Sequence, residues 1–470
     1  MQTGMKVALQ EKEVFARLKA WVEEQRRPFT LNDAAAGTGI AMQDLVHAFD
    51  ELIEKYHCRV QATAQGDVIY HFGNMLRRRH AKTATEILLE ILDILWKGFQ
   101  VLYKVCIALM MMIYFGVYVT ILLIALIMLS LASKDGRSGR REFFSNLGEI
   151  VKVWGYLFDL ATETEEGKKG FLASVYDFVF GPPRKQPDKL NNEKELAAFL
   201  RKKKGITVGA ELQALAGWST DQMEEFLAMY VAKFHGRLKV SEDGVLYAEF
   251  DELLRGKVKT NETPIVYYWD EDEPEYLWTG NELLRNLGIV SMNAFNLLMS
   301  FLVLKLDGTL FDLTPTVRIL LGWVPFIYSV LFFAIPLGRG VWILKKQYEQ
   351  HQAHIRRRVM KAVFEKKAAP KTLEQIERLV NADPNMESLS RRTIQKMMDK
   401  LLIELRGKLE ADTSSGKVYY VFDRIHNELE AIQTLRKQRQ VSQDLSDVIL
   451  DSNASSHESS TRPGASDSRP

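Results

Sequence analysis

The chain has 470 residues, of which 47% are hydrophobic, and its 62 basic and 60 acidic side chains leave a net charge of +2. That balance excludes a surface built throughout to hold nucleic acid, so any basic partner-binding face must be local. The two cysteines, Cys58 and Cys106, fall in a candidate soluble segment and in an apolar run, which implies no disulfide framework. A mean hydropathy of −0.14 hides several intensely apolar windows, because charged segments dilute them. The N-terminal stretch mixes charge without an apolar core behind a basic start, so no cleaved signal peptide is expected.

In chain order, residues 1–76 read as a first soluble module. Leu45, Phe49, Leu52 and Tyr56 recur at spacings of three and four, which predicts one apolar stripe on a helix from Ala41 to Tyr56. The ribbon CRVQATAQGDVIYHF follows at 58–72. Residues 84–133 are an amphipathic lead-in and a membrane segment. Its core, Val105 to Ser133, holds 29 residues without a charge, more than the roughly 20 a hydrocarbon core requires. Two readings stand: one long or tilted helix, or a hairpin bent near Gly116. Basic clusters on both sides, Arg77 to Lys82 and Lys134 to Arg141, leave the positive-inside rule without a preference.

Residues 143–183 read as an interfacial linker. Phe143, Leu147, Ile150, Trp154 and Phe158 share a helical face suited equally to lying in the headgroup region or to packing against a neighbouring domain, and FLASVYDFVFGPP ends in a helix stop. A second module occupies 190–256, with Met223, Phe226, Leu227, Tyr230 and Phe234 as its stripe and GRLKVSEDGVLYAEF as its ribbon. Residues 286–344 form a two-span hairpin. Asn286 to Leu304 and Ile319 to Gly338 are 19 and 20 residues without charge, joined by a loop with Asp307, Gly308 and Pro315. Lys345, Lys346 and Arg356 to Arg358 after the second span place both flanks in the cytoplasm. Pro325 and Pro336 should loosen that span, and Asn293 and Asn296 are placed to tie helices together by hydrogen bonds. A third module, 356–434, has Ile394, Met397, Leu401, Ile403 and Leu405 as its stripe and GKLEADTSSGKVYYVF as its ribbon. From 442 to 470 the chain turns Ser-, Asp- and Pro-rich, and a disordered tail is expected.

The three ribbons carry the organisation. Gly66, Gly244 and Gly416 each precede Phe72, Phe250 and Phe422 by six residues, with Tyr70, Tyr247 and Tyr420 between. Glycine supplies the positive φ of the turn, and the aromatic residues pack the ribbon onto its helices. Helix, helix, helix, ribbon is the winged-helix plan. The fold class expected is an α-helical membrane protein bearing small α+β winged-helix-like soluble modules, three repeats separated by membrane segments.

Winged helices often bind DNA through a basic third helix. The first module's third helix carries Asp44, Asp50, Glu51 and Glu54, and the second's carries Asp221, Glu224 and Glu225, which would repel phosphate. Only the third module has a basic face, Arg391, Arg392, Lys396 and Lys400, suited to DNA or anionic lipid. No phosphate-cradling loop, nucleophile elbow or cysteine knuckle occurs. The acidic run WDEDEPEYLW reads as a solvated loop, and His351 and His354 lack the carboxylate partner of a metal site. No enzyme activity, cofactor or metal is therefore expected.

FVFGPP, the three ribbons, TGNELLRNLGIVSMNAFNLLMSF and LGWVPFIYSVLFFAIPL together resemble an uncharacterised group of multi-pass membrane proteins from bacteria and plastids, across residues 60 to 345. The resemblance implies shared architecture and transfers no catalytic residue. The function expected is a scaffold or assembly factor of the cytoplasmic (inner) membrane, with modules two and three cytoplasmic and the side of the first undecided. Its partners would be the lipid bilayer and either a protein partner or further copies of itself. The alternatives are a membrane-tethered DNA-binding regulator acting through the third module and a transporter or channel subunit.

Overall fold

The computed structural model describes residues 9–81, 83–132, 152, 155, 170–184, 188–258, 263–308, 312–414, 416–440, 445 and 447–452. The interfacial stripe from Phe143 to Phe158 and the tail beyond Ser452 lie outside the described residues. The chain divides into two compact units, one from 1–81, 186–273 and 350–470, the other from 82–185 and 274–349.

Along the chain the elements are α1 (Glu11–Glu24), β1 (Phe29–Thr30), α2 (Leu31–Thr38), α3 (Met42–Lys55), β2 (Arg59–Thr63), β3 (Val68–His71), α4 (Ala84–Ala132) and α5 (Phe171–Phe180). Then come α6 (Asn191–Lys202), β4 (Ile206–Val208), α7 (Gly209–Ala216), α8 (Thr220–Lys233), β5 (Arg237–Val240), β6 (Leu246–Glu249) and α9 (Asp251–Leu254). α10 (Leu283–Leu306), α11 (Pro315–Arg318) and α12 (Val324–Ala368) follow, with a π-helical turn at Ile319–Trp323. The last elements are β7 (Lys371–Thr372), α13 (Leu373–Val380), α14 (Arg391–Glu404), β8 (Lys408–Asp412), β9 (Lys417–Val421), α15 (Asp423–Gln438) and β10 (Val448–Asp451).

The first unit holds three small antiparallel sheets, ordered β1-β3-β2-β10, β4-β6-β5 and β7-β9-β8. In each, the ribbon turns at a left-handed glycine, with φ of 84° at Gly66, 76° at Gly244 and 66° at Gly416. A short strand before each short helix supplies a third strand beyond the expected ribbon. The apolar stripes face inward: Leu45, Phe49, Leu52 and Tyr56 are buried on α3, and Met223, Phe226, Leu227 and Tyr230 on α8. On α14 the stripe is Ile394, Met397, Met398 and Leu401, whereas Ile403 is 80% exposed because it falls off the helical face that Leu401 and Leu405 bury.

These segments do not fold as separate cores. One continuous cluster joins Phe29, Phe49 and Leu52 to Leu196, Phe199, Trp218 and Phe250, and a second joins Ile206 and Val208 to Val359, Ile394, Leu401 and Ile425. The segment 188–258 therefore stands between the other two. On one side its link is ionic at the centre. Asp33, 2% exposed, closes the capping box of α2 with Thr30 and accepts from the backbone N–H of Lys257 and Val258 at 2.9 and 3.3 Å. Its other oxygen lies 2.9 Å from the Arg201 guanidinium, which also donates to the carbonyls of Leu253 and Val258. On the other side Arg436 forms two parallel bonds to Glu211, at 2.6 and 2.7 Å, and donates to the Ile206 carbonyl, while Glu428 accepts from the N–H of Ala210.

The second unit contains α4, α5, α10 and the first part of α12. Three of its helices are long and apolar enough to cross a membrane. α4 is one uninterrupted helix of 49 residues with no bend at Gly116, so the single-helix reading stands; at 1.5 Å per residue it extends about 74 Å. α5, with 10 residues, packs Phe171, Val175 and Phe178 into the core made by Met111, Tyr118, Ile289, Met292 and Phe332.

Replacing Asp33 by Ala would unmake the α2 cap and strand the Arg201 charge. The expected cost is about 3 to 5 kcal/mol, the usual penalty for breaking a buried pair by removing one partner. Thermal unfolding of the purified full chain in detergent measures it, and a loss below about 1 kcal/mol would show the pair to be peripheral.

Candidate functional site

The expected intramembrane residues, Asn293 and Asn296, are both fully buried on α10. Asn293 Nδ2 donates to the Ser329 carbonyl on α12 at 3.3 Å, and Asn296 Nδ2 donates to the Met111 carbonyl on α4 at 2.9 Å. Two tyrosines complete this knot. Tyr328 OH donates to the Ile107 carbonyl at 2.7 Å, and Tyr118 OH donates to the Leu321 carbonyl at 2.5 Å. Leu321 O is available because Pro325, one turn on, has no N–H to offer it. The proline expected only to loosen the span thus opens the acceptor that ties it to α4. All four contacts run from a side chain to a main-chain carbonyl, a mode of helix association that costs little to satisfy in lipid.

At the end of α5, the FVFGPP motif has a physical role. Gly181, at φ 89°, faces the Arg339 guanidinium so closely that an added Cβ would meet Nη1 at 1.7 Å. Arg339 donates to the carbonyls of Phe178 and Trp278.

In the first unit, Arg391, Arg392, Lys396 and Lys400 are all exposed on α14, with Arg392, Lys396 and Lys400 in one line at four-residue spacing. Lys400 lies 3.7 Å from Glu404; among the described residues Arg391, Arg392 and Lys396 make no ion pair. The corresponding helix α8 is not open in the same way. Arg406, just past α14, bonds Asp221 at 2.7 Å and Glu224 at 2.8 Å, so acidic groups at the start of α8 face the third segment.

Several residues that carry charge signals in the sequence are internal here. Arg356 reaches Glu404 and the Gly217 carbonyl, Arg357 pairs with Glu271 and Glu273, and Arg358 donates to the carbonyls of Val380 and Glu387. Asp270 pairs with Lys361 at 2.8 Å. Asp270, Glu271 and Glu273 of the acidic run are thus ion-paired, while Asp272 and Glu275 are exposed. Among the described residues no three His, Cys, Asp or Glu side chains converge as a metal set.

One titratable group, Glu195, lines a small cleft with Asn192, Leu212, Leu215, Trp218 and Tyr230. Burial pushes the Glu195 carboxyl up to about 7, although the N–H of Val266 donates to it. A group with a raised folded value stabilises the fold only below its unfolded value. Stability should therefore fall as pH climbs from about 4.5 through 7. Glu195→Gln keeps the Val266 acceptor and should flatten the dependence of the unfolding temperature between pH 5 and 8; an unchanged slope would assign it to other groups.

An uncharacterised chloroplastic protein of Arabidopsis thaliana is 22% identical to the chain over 359 residues, covering 69% of the chain and 68% of the relative. No family model and no solved structure matches. The similarity agrees with the resemblance to plastid proteins drawn from the FVFGPP and hairpin motifs and assigns no activity.

Proposed function

We propose that the chain is a membrane-anchored scaffold or assembly factor whose soluble body is three winged-helix-like modules fused for protein interaction. The order of short strand, short helix, long helix and ribbon in all three segments supports the repeat, with the helix that a DNA-binding winged helix inserts in the groove corresponding to α3, α8 or α14. The observation that carries the reading is the state of those helices. α3 exposes Asp44, Asp50 and Glu54, and α8 has its acidic start bonded to Arg406, so two of the three surfaces are unsuited to phosphate.

The shared cores also bear on topology. Modules packed into one body lie on one side of a bilayer, so the chain must cross an even number of times between Ala81 and Asp188 and again between Glu273 and Gln350. The hairpin of α10 and α12 meets the second condition; one crossing by α4 requires a second passage before Asp188. We place the body in the cytoplasm of an inner membrane, on Lys345 and Lys346 after the hairpin. Arg356 to Arg358 add less to that argument than the sequence suggests, since their charges are spent inside the body.

A photo-crosslinking residue at Asp50 or Lys396 in cells should give discrete protein adducts, and purified full chain should bind labelled duplex no better than non-specific binders, about 10⁻⁴ to 10⁻⁶ M at physiological salt. Tight, steeply salt-dependent duplex binding that Arg391→Glu with Arg392→Glu removes would replace the scaffold by the DNA-binding regulator.

A further inference from the structure

The tail expected to be disordered contributes a strand. β10 adds antiparallel to β2, pairing Val448 with Thr63, Leu450 with Ala62 and Asp451 with Gln61, with an irregularity between Val448 and Leu450. The run Val448-Ile449-Leu450 has the β-branched and aliphatic character that extended backbone favours, which the surrounding Ser- and Asp-rich composition conceals.

How the strand is held matters more than that it forms. Val448, Ile449 and Leu450 remain 44%, 64% and 68% exposed, so burial contributes little to its docking. Main-chain bonds do the holding: the N–H of Ala64 donates to the Asp447 carbonyl, and the N–H of Ser452 donates to the Val60 carbonyl, both at 3.0 Å. Ser452 Oγ accepts from the Val60 N–H at 3.1 Å. The Asp451 side chain adds a charged contact to that of Ser452. The Asp451 carboxylate takes a two-pronged contact from Arg59 and a bond from Gln61 Nε2 at 2.8 Å.

The other two ribbons are open at the same edge. Among the described residues β5 and β8 have no outer neighbour, and all four residues of β5 are exposed. Arg237, one residue after Gly236, stands where Arg59 stands after Cys58, and it has no ion pair among the described residues. Lys408, at the matching place in the third ribbon, is already paired with Glu410 and Asp423. The edge of β2 is thus the one that combines an arginine with a seated acidic strand.

We propose that the β2 edge is a strand-acceptor site for an extended protein segment in which aliphatic residues are followed by an aspartate and a serine, and that residues 447–452 occupy it as an internal competitor. This deepens the interaction reading by naming the chemistry of a partner: a strand added by backbone pairing, with its carboxylate read by Arg59 and Gln61. A strand held without apolar burial exchanges, whereas a core strand would not. The tail accordingly sets a threshold that an incoming segment must overcome, and a segment that also covers the exposed aliphatic side chains would hold more tightly than the tail itself.

The test uses a fluorescein-labelled peptide of residues 445–453 and full-length protein in detergent, read by anisotropy. A chain lacking 441–470 should bind the peptide, and the intact chain about tenfold or more weakly, because a tethered competitor acts at millimolar effective concentration. Asp451→Lys in the intact chain opens the edge without truncation and should restore binding. Arg59→Glu in the shortened chain should abolish it, while Arg237→Glu should not. The proposal is overturned if the shortened and Asp451→Lys chains both fail to bind, if the intact chain binds as well as they do, or if Arg237→Glu rather than Arg59→Glu removes the binding. None of these outcomes touches crosslinks from Asp50 or Lys396, so the broader scaffold reading is judged separately.

Discussion

Asp33 does two structural jobs with one carboxylate. It satisfies the first turn of α2, where backbone N–H groups have no helical partner, and it neutralises Arg201 in the seam with the segment 188–258. Desolvating such a pair is costly, and the site offsets that cost by giving one Asp33 oxygen the N–H groups of Thr30, Lys257 and Val258 in addition to the ion pair. An added Cβ at Gly256 would stand 2.2 Å from the other oxygen, so the loop carrying Lys257 and Val258 needs a glycine to come this close. The first and second modules are set against each other by that contact, and the apolar cluster from Phe29 to Phe250 closes around it.

The opposite seam uses the same economy with reversed roles. Arg436, carried by α15, grips Glu211 and the end of β4, while Glu428 caps the start of α7 from across the boundary. The first and third segments therefore both complete backbone hydrogen bonding in the segment between them. A chain built this way cannot easily place its modules on opposite faces of a bilayer, because separation would leave Asp33, Glu211 and Glu428 buried without partners or expose the apolar clusters. Membrane crossings and soluble packing would thus be coupled constraints under the one-sided topology proposed above.

Much of the fold is legible in the sequence where local rules agree with the final packing. The stripes on α3 and α8 and the three glycine turns appear as expected, since helical period and positive φ are local properties. The short strands β1, β4 and β7 escape notice because two or three residues carry no period; the signal that marks β1 and β7 is a threonine closing the strand and capping the next helix. Charge is the most misleading guide. Arg356, Arg357 and Arg358 read as a topological signal, yet their partners, from Gly217 to Glu404, lie as far as 139 residues away in sequence, a pairing that only the folded chain brings together. Asn293 and Asn296 were visible as polar groups in an apolar run, but the tyrosines that share their knot were not, because Tyr118 acts only through the carbonyl that Pro325 frees.

Three segments packed into one body should all lie on one side of the membrane. Single cysteines at Glu54, Asp243 and Gln395, all exposed and one in each module, placed in a Cys58→Ser, Cys106→Ser background, report this directly through an impermeant maleimide in sealed cells and after lysis. One shared body gives the same outcome at all three positions, with protection until lysis if it is cytoplasmic. One position labelled in sealed cells while the other two stay protected would contradict it, since no shared core could then join the modules.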